Sequence, residues 1–250
     1  MPDRFTPSFS EKPPEVPIVP VESLISGIDL SDISQLKEFI QNQGSKTDSD
    51  RMRQNQIEDA AGLPGTTEFA GILYSRLDRH PNPENQRMEE KLRRGFSDQV
   101  VVDLGSGENI MGLRTASLLG ARGYIAVEKY WPDKLLENIK SIGSDPGKDP
   151  NMRTIPVAIA PEDMLTFLRR LPDESVSVMA VGIDEYILDS NQPGVSSYIQ
   201  AVNDEINRVV SRTGVFIGYN SVISAGGKDF DFELAGADGN VCVVLRKAKQ

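Results

Sequence analysis

Val100-Val101-Val102-Asp103-Leu104-Gly105-Ser106-Gly107 is an apolar run that breaks into two glycines, and the residues after it can open a helix. Glycines carry meaning in that context, where a strand delivers a loop that turns into a helix. Gly105 can take backbone angles closed to other residues, and Gly107 removes a side chain where a ligand would press against the main chain. In open α/β sheets ligands collect beyond the carboxyl ends of the strands where the strand order reverses, and the first strand of such a unit lies there. Glu128 ends Tyr124-Ile125-Ala126-Val127 and follows Gly107 by 21 residues. A carboxylate at that spacing can accept hydrogen bonds from both hydroxyls of a ribose.

Outward from this loop, short apolar runs alternate with helical stretches, the sequence form of a parallel sheet covered by helices. Strands are expected at Gln99 to Leu104, Tyr124 to Val127, Thr154 to Ile159, Val176 to Gly182 and Val215 to Tyr219. Helices are expected at Met111 to Leu119, Lys134 to Ile142, Pro161 to Arg170 and Ser196 to Val210. The end of the chain differs. Phe230 to Leu234 and Val241 to Leu245 flank the turn-rich Ala235-Gly236-Ala237-Asp238-Gly239-Asn240, which predicts an antiparallel hairpin.

Before the sheet, residues 1–20 are proline-dense, with Pro13, Pro14, Pro17 and Pro20 among them, and predict a poorly ordered tail. Residues 21–95 read as a helical N-terminal segment or lid. Leu24, Ile25, Ile28, Ile33, Leu36, Phe39 and Ile40 recur at near-helical spacing in two pieces, with Ser31 as a cap candidate. Phe69, Ile72, Leu73 and Leu77 mark a further helix that stops before His80-Pro81-Asn82-Pro83.

Two cofactors could use the glycine loop. A dinucleotide fingerprint needs a third glycine or alanine at position 110, where this chain has Ile110, so NAD is disfavoured. By contrast, Asp103, the Gly105 and Gly107 pair and Glu128 together resemble the first two motifs of class I S-adenosylmethionine-dependent methyltransferases. The resemblance runs from about Gln99 to Lys247. It implies a Rossmann-like α/β fold over residues 96–250, with a mostly parallel seven-stranded sheet closed by a C-terminal antiparallel hairpin. It also implies that Asp103 organises the methionine end of the cofactor, that Gly105, Ser106 and Gly107 lie against it, and that Glu128 holds the ribose. Ile159-Ala160-Pro161-Glu162-Asp163-Met164 looks like the segment bordering adenine. Since Ala160 stands where an acid is common, the adenine contact falls to Glu162 or Asp163. Asn109 replaces a glycine often found in the first motif.

Methyl transfer from a sulfonium is an in-line displacement, so alignment and exclusion of water matter more than a general base. Gly182-Ile183-Asp184-Glu185-Tyr186 ends the fourth strand and makes Asp184 and Tyr186 the acceptor-side candidates, with Asn220 after them. No Asn/Asp-Pro-Pro-aromatic signature is present, so methylation of bases or amides gains no support. Asp184 and Glu185 read equally well as solvated loop acids, while for Glu128 a solvated helix cap is the lesser alternative. Tyr130 and Trp131 either wall the cavity or cover helix ends, and Cys242 reads as a small core residue.

Composition narrows the class. Acidic residues number 37 against 27 basic ones, a net charge of −10 that disfavours free nucleic acid and anionic lipid as partners. One cysteine permits no internal disulfide or CxxC site, and no metal site is expected. No apolar run approaches the roughly 18–20 residues of a membrane span, and a cytoplasmic location is expected. The reading is an S-adenosylmethionine-dependent methyltransferase acting on a small molecule or a protein side chain. Its rival is a catalytically silent binding or assembly module of the same fold. Aminopropyl transfer and NAD-dependent hydride transfer follow behind.

Overall fold

The computed structural model describes residues 30, 32–42, 92–108, 110–144, 155–183, 188, 191–219, 221–235 and 241–246. The proline-rich tail, the expected helix around Phe69, Asp184, Tyr186, Asn220 and the turn at 236–240 lie outside the described residues. The described residues include seven strands: β1 Val100–Leu104, β2 Gly123–Val127, β3 Val157–Ala160, β4 Ser177–Val181, β5 Val215–Tyr219, β6 Phe230–Ala235 and β7 Val241–Arg246. They form one sheet in the order β3-β2-β1-β4-β5-β7-β6. The first five are parallel, and β7 runs antiparallel between β5 and β6. The helices described at both ends are α1 Ile33–Asn42, α2 Met111–Leu118, α3 Pro132–Ser144, α4 Met164–Arg170 and α5 Val195–Val209.

Side chains alternate across the strands, and the two faces carry separate cores. Val101, Tyr124, Ala126, Val157, Met179, Val215 and Ile217 pack against Leu113 and Ala116 of α2 and Leu135 and Ile139 of α3. Val100, Val102, Leu104, Ile125, Val127, Val178, Ala180 and Phe216 pack against Phe167 and Leu168 of α4 and Val202, Ile206 and Val209 of α5. Burying each large apolar side chain contributes roughly 1.5–3 kcal/mol. The central strands are apolar on both faces because helices cover both sides.

The described part of the N-terminal segment belongs to these cores. Leu36, Phe39 and Ile40 of α1 are buried in the face shared with α4 and α5, while Leu92 and Phe96 join the other. Asp32, next to the cap candidate Ser31, caps α1 by accepting the backbone N–H groups of Ser34 and Gln35 at 2.7 and 3.4 Å. These bonds, that to Ser34 first, hold its carboxyl below the usual range. Two arginines fasten the helix to the sheet layer: Arg170 donates to the carbonyl of Leu30, and Arg122 to that of Ile40.

Two element starts differ by three residues from the sequence expectation, and the other boundaries by no more than two. β3 starts at Val157, after Thr154, and α4 starts at Met164, after Pro161. In the second case Asp163 caps the helix, accepting the N–H groups of Leu165 and Thr166, so Pro161 and Glu162 stand outside it.

Candidate functional site

Strand order reverses at β1, whose neighbours are β2 on one side and β4 on the other. Beyond the carboxyl ends of these strands lies a cavity of about 630 Å³, within the range of small-molecule sites. Gly105, Ser106 and Gly107 line it after β1, Glu128 with Tyr130 and Trp131 after β2, Glu162 and Asp163 after β3, and Gly182 and Ile183 after β4. The cavity thus occupies the switch point of the sheet.

The loop is held from one side. Gly105 and Gly107 adopt φ of 61° and 65°, the left-handed region that favours glycine. A Cβ on Gly105 would lie 3.2 Å from Cδ1 of Ile183, so glycine also lets the end of β4 close on the loop. The N–H groups of Gly105 and Ser106 both donate to the carbonyl of Val127, at 2.9 and 3.3 Å. The N–H of Gly107 donates to Glu128 Oε2 at 2.8 Å. Three successive loop donors are therefore committed to the end of β2.

Glu128 divides its two oxygens. Oε2 takes the Gly107 N–H, while Oε1 accepts the N–H groups of Tyr130 and Trp131 at 2.7 and 3.1 Å. These lead into α3, which starts at Pro132, a residue suited to a first helical position. The side chain is only 3% exposed. A carboxylate oxygen has about two acceptor positions, so among the described residues Oε2 has one left while Oε1 is filled. The helix-lead role and the cavity role of this acid coexist.

On the facing wall, Asp163 Oδ2 accepts the hydroxyl of Tyr198 at 2.8 Å while Oδ1 caps α4. Burial first, and then the bond to Asp163, raise the Tyr198 phenol above its ordinary value. Glu162 is paired with Arg170, whose guanidinium also lies 5.4 Å from the ring centroid of Phe167. Tyr130 and Trp131 stand at the cavity with 71% and 56% of their surface exposed. They line the cavity, one of the two readings that the sequence left open. Lys129 is the one cationic side chain lining it among the described residues, 5.4 Å from the Tyr130 ring.

The structure brings Gly105, Ser106, Gly107, Glu128, Glu162 and Asp163 to one cavity. Asp103 is not among its lining residues; its carboxyl lies on the α2 side of the sheet and accepts the hydroxyl of Tyr124. The expected acceptor-side residues Asp184 and Tyr186 lie outside the described residues, following Gly182 and Ile183 in the chain. No described residue of the N-terminal segment lines the cavity. Sequence reasoning missed Tyr198, an aromatic in the first turn of α5, and Gly112, whose missing side chain leaves room for the Asp103 carboxyl. Tyr198 gave no signal beyond its helical spacing.

No family model and no curated protein matches the chain. Many solved structures do. An Escherichia coli protein provisionally described as a methyltransferase shares 15% identity, with a TM-score of 0.43, covering 67% of this chain and 89% of that one. Ribosomal protein L11 methylase from Lactobacillus delbrueckii subsp. bulgaricus shares 16%, with a TM-score of 0.39, covering 66% and 80%. Precorrin-6y C5,15-methyltransferase from Geobacter metallireducens shares 18%, with a TM-score of 0.37, covering 69% and 91%.

Proposed function

We propose that the chain binds S-adenosylmethionine in this cavity and transfers its methyl group to a small molecule or a protein side chain. One observation carries the choice of cofactor: the N–H groups of Gly105, Ser106 and Gly107 are already bonded to Val127 and Glu128. A dinucleotide pyrophosphate calls for free donors at the glycine loop, and these three are spent. The charge of the walls agrees. Among the described lining residues Glu128 and Asp163 face a single lysine, Lys129, while Glu162 is paired with Arg170, and such a lining suits a cationic sulfonium better than a pyrophosphate. Ser106 adds a buried hydroxyl at the cavity wall with no partner among the described residues, a polar atom that a nucleoside or amino-acid group can satisfy.

When bound, the cofactor supplies an electrophilic methyl group on sulfur. The bare backbone of Gly105 and Gly107 gives close approach, Glu128 holds the ribose through the free acceptor position of Oε2, and Glu162 or Asp163 borders the adenine. Asp184 and Tyr186 are the acceptor-side candidates, next in the chain after the Gly182 and Ile183 edge. A net charge of −10 supports a small-molecule or protein acceptor over nucleic acid.

Titration calorimetry of the full chain with S-adenosylmethionine, S-adenosylhomocysteine and NAD tests this reading, with Gly105→Arg as control. Micromolar binding of the first two, lost in the control, is expected. Binding of NAD alone, or of none, would overturn the assignment. Binding without turnover on any acceptor class would instead favour a silent module.

A further inference from the structure

Asp103 lies two residues before Gly105, but strand alternation puts it with Val101 on the face covered by α2. Its Oδ2 accepts the Tyr124 hydroxyl at 2.6 Å, and Oδ1 has no hydrogen-bond partner among the described residues. A Cβ at position 112 would stand 1.8 Å from that same Oδ2, so the first turn of α2 rests on the carboxyl only because Gly112 has no side chain. Ala126 and Met179 stand opposite Asp103 on the flanking strands, and the residue is 3% exposed.

A charge in such a site is poorly compensated, whereas a neutral carboxyl with one bond is tolerated. Burial pushes Asp103 up to about 7; the Tyr124 hydroxyl pulls down, and the charge of Glu128 pushes up. The titratable groups acting on it are therefore Tyr124 and Glu128, both from β2 and its end. Gly112 from α2 and Met179 from β4 bring no charge. Glu128 is also the carboxylate that holds the Gly107 N–H.

We propose that Asp103 is a positioning residue for the glycine loop: neutral, it lets the first turn of α2 close on the Asp103–Tyr124 pair, and ionised, it opposes that closure and weakens the hold of Glu128 on Gly107. The sign is definite. The folded-state value lies above the ordinary one, so the stability contributed by Asp103 is full below about 4 and is lost as pH rises through about 7. Only the affinity arm of the test below rests on the cofactor reading.

The test uses the full chain, Asp103→Asn and Tyr124→Phe. Denaturant unfolding without cofactor is followed from about pH 5 to about pH 8.5. The wild type is expected to lose stability across this window relative to Asp103→Asn. Tyr124→Phe removes the group that favours the ionised carboxyl, so its loss is expected at higher pH than in the wild type. A merely structural bond would lower stability without moving the midpoint. In the affinity arm, the ratio of wild-type to Asp103→Asn affinity for S-adenosylmethionine is expected to fall at least about fivefold between about pH 6 and about pH 8.5, the low end of coupling between sites. Taking the ratio cancels titration of the cofactor itself. An unshifted midpoint in Tyr124→Phe, or a flat affinity ratio, overturns the proposal. If no variant binds the cofactor, the functional reading fails, while the unfolding profiles still decide the titration of Asp103. If Asp103→Asn does not fold, the midpoint shift between wild type and Tyr124→Phe decides it.

Discussion

Glu128 and Gly107, 21 residues apart in the chain, are joined by a 2.8 Å hydrogen bond from the loop N–H to Oε2. The same side chain organises the lead into α3 through Tyr130 and Trp131. One carboxylate thereby fixes both the floor and one wall of the cavity, and its two oxygens serve three backbone donors.

Glu128→Gln follows from that arithmetic. An amide offers one acceptor atom where the carboxylate offers two, so at least one of the three N–H groups must face the amide nitrogen. A buried donor left without a partner costs roughly 1–3 kcal/mol, and thermal or denaturant unfolding should show a loss of that size. Affinity for S-adenosylmethionine is expected to fall at least about tenfold, which corresponds to about 1.4 kcal/mol. Unchanged stability and affinity together would remove Glu128 from the site.

Gly112→Ala is expected to destabilise the protein even though alanine favours a helix by about 1 kcal/mol. The new Cβ would meet Asp103 Oδ2 at 1.8 Å and the Tyr124 hydroxyl at 2.8 Å. Such overpacking costs roughly 1–3 kcal/mol. Combining the change with Asp103→Ala should restore part of the loss, because the obstructing oxygen is gone. A Gly112→Ala protein more stable than wild type would contradict the close approach of α2.

Arg170→Ala should release both the Glu162 carboxylate and the carbonyl of Leu30. The expected readout is faster amide hydrogen exchange in α1 with α5 unchanged. Arg170→Lys should recover less than half of the protection, because an ammonium lacks the fork that reaches two partners. Equal exchange in all three proteins would show that apolar burial of Leu36, Phe39 and Ile40 alone holds α1.

Much of the fold is legible in order along the chain. The five parallel strands stand where apolar runs alternate with helical periods, because burial on a sheet and on a helix imposes different spacings on neighbouring residues. The glycine loop and Glu128 are legible for the same reason: a tight turn and an acid at the end of the next strand are features of local sequence. The exact starts of β3 and α4 were not, since the cap at Asp163 is decided by which side chain reaches Leu165 and Thr166.

The sequence by itself determined the alternation of elements, the strand that delivers the loop, and the acids and glycines available to the site. Only the tertiary structure decided how they are used. It turned Asp103 toward Tyr124, 21 residues away, set Tyr198 on Asp163 across 35 residues, and tied Arg170 to Leu30 across 140. Such pairings depend on which strands become neighbours and on how closely helices approach the sheet. Gly112 states the reason most directly: its lack of a side chain has no meaning in the local helix, and acquires one only when packing brings the Asp103 carboxyl against it.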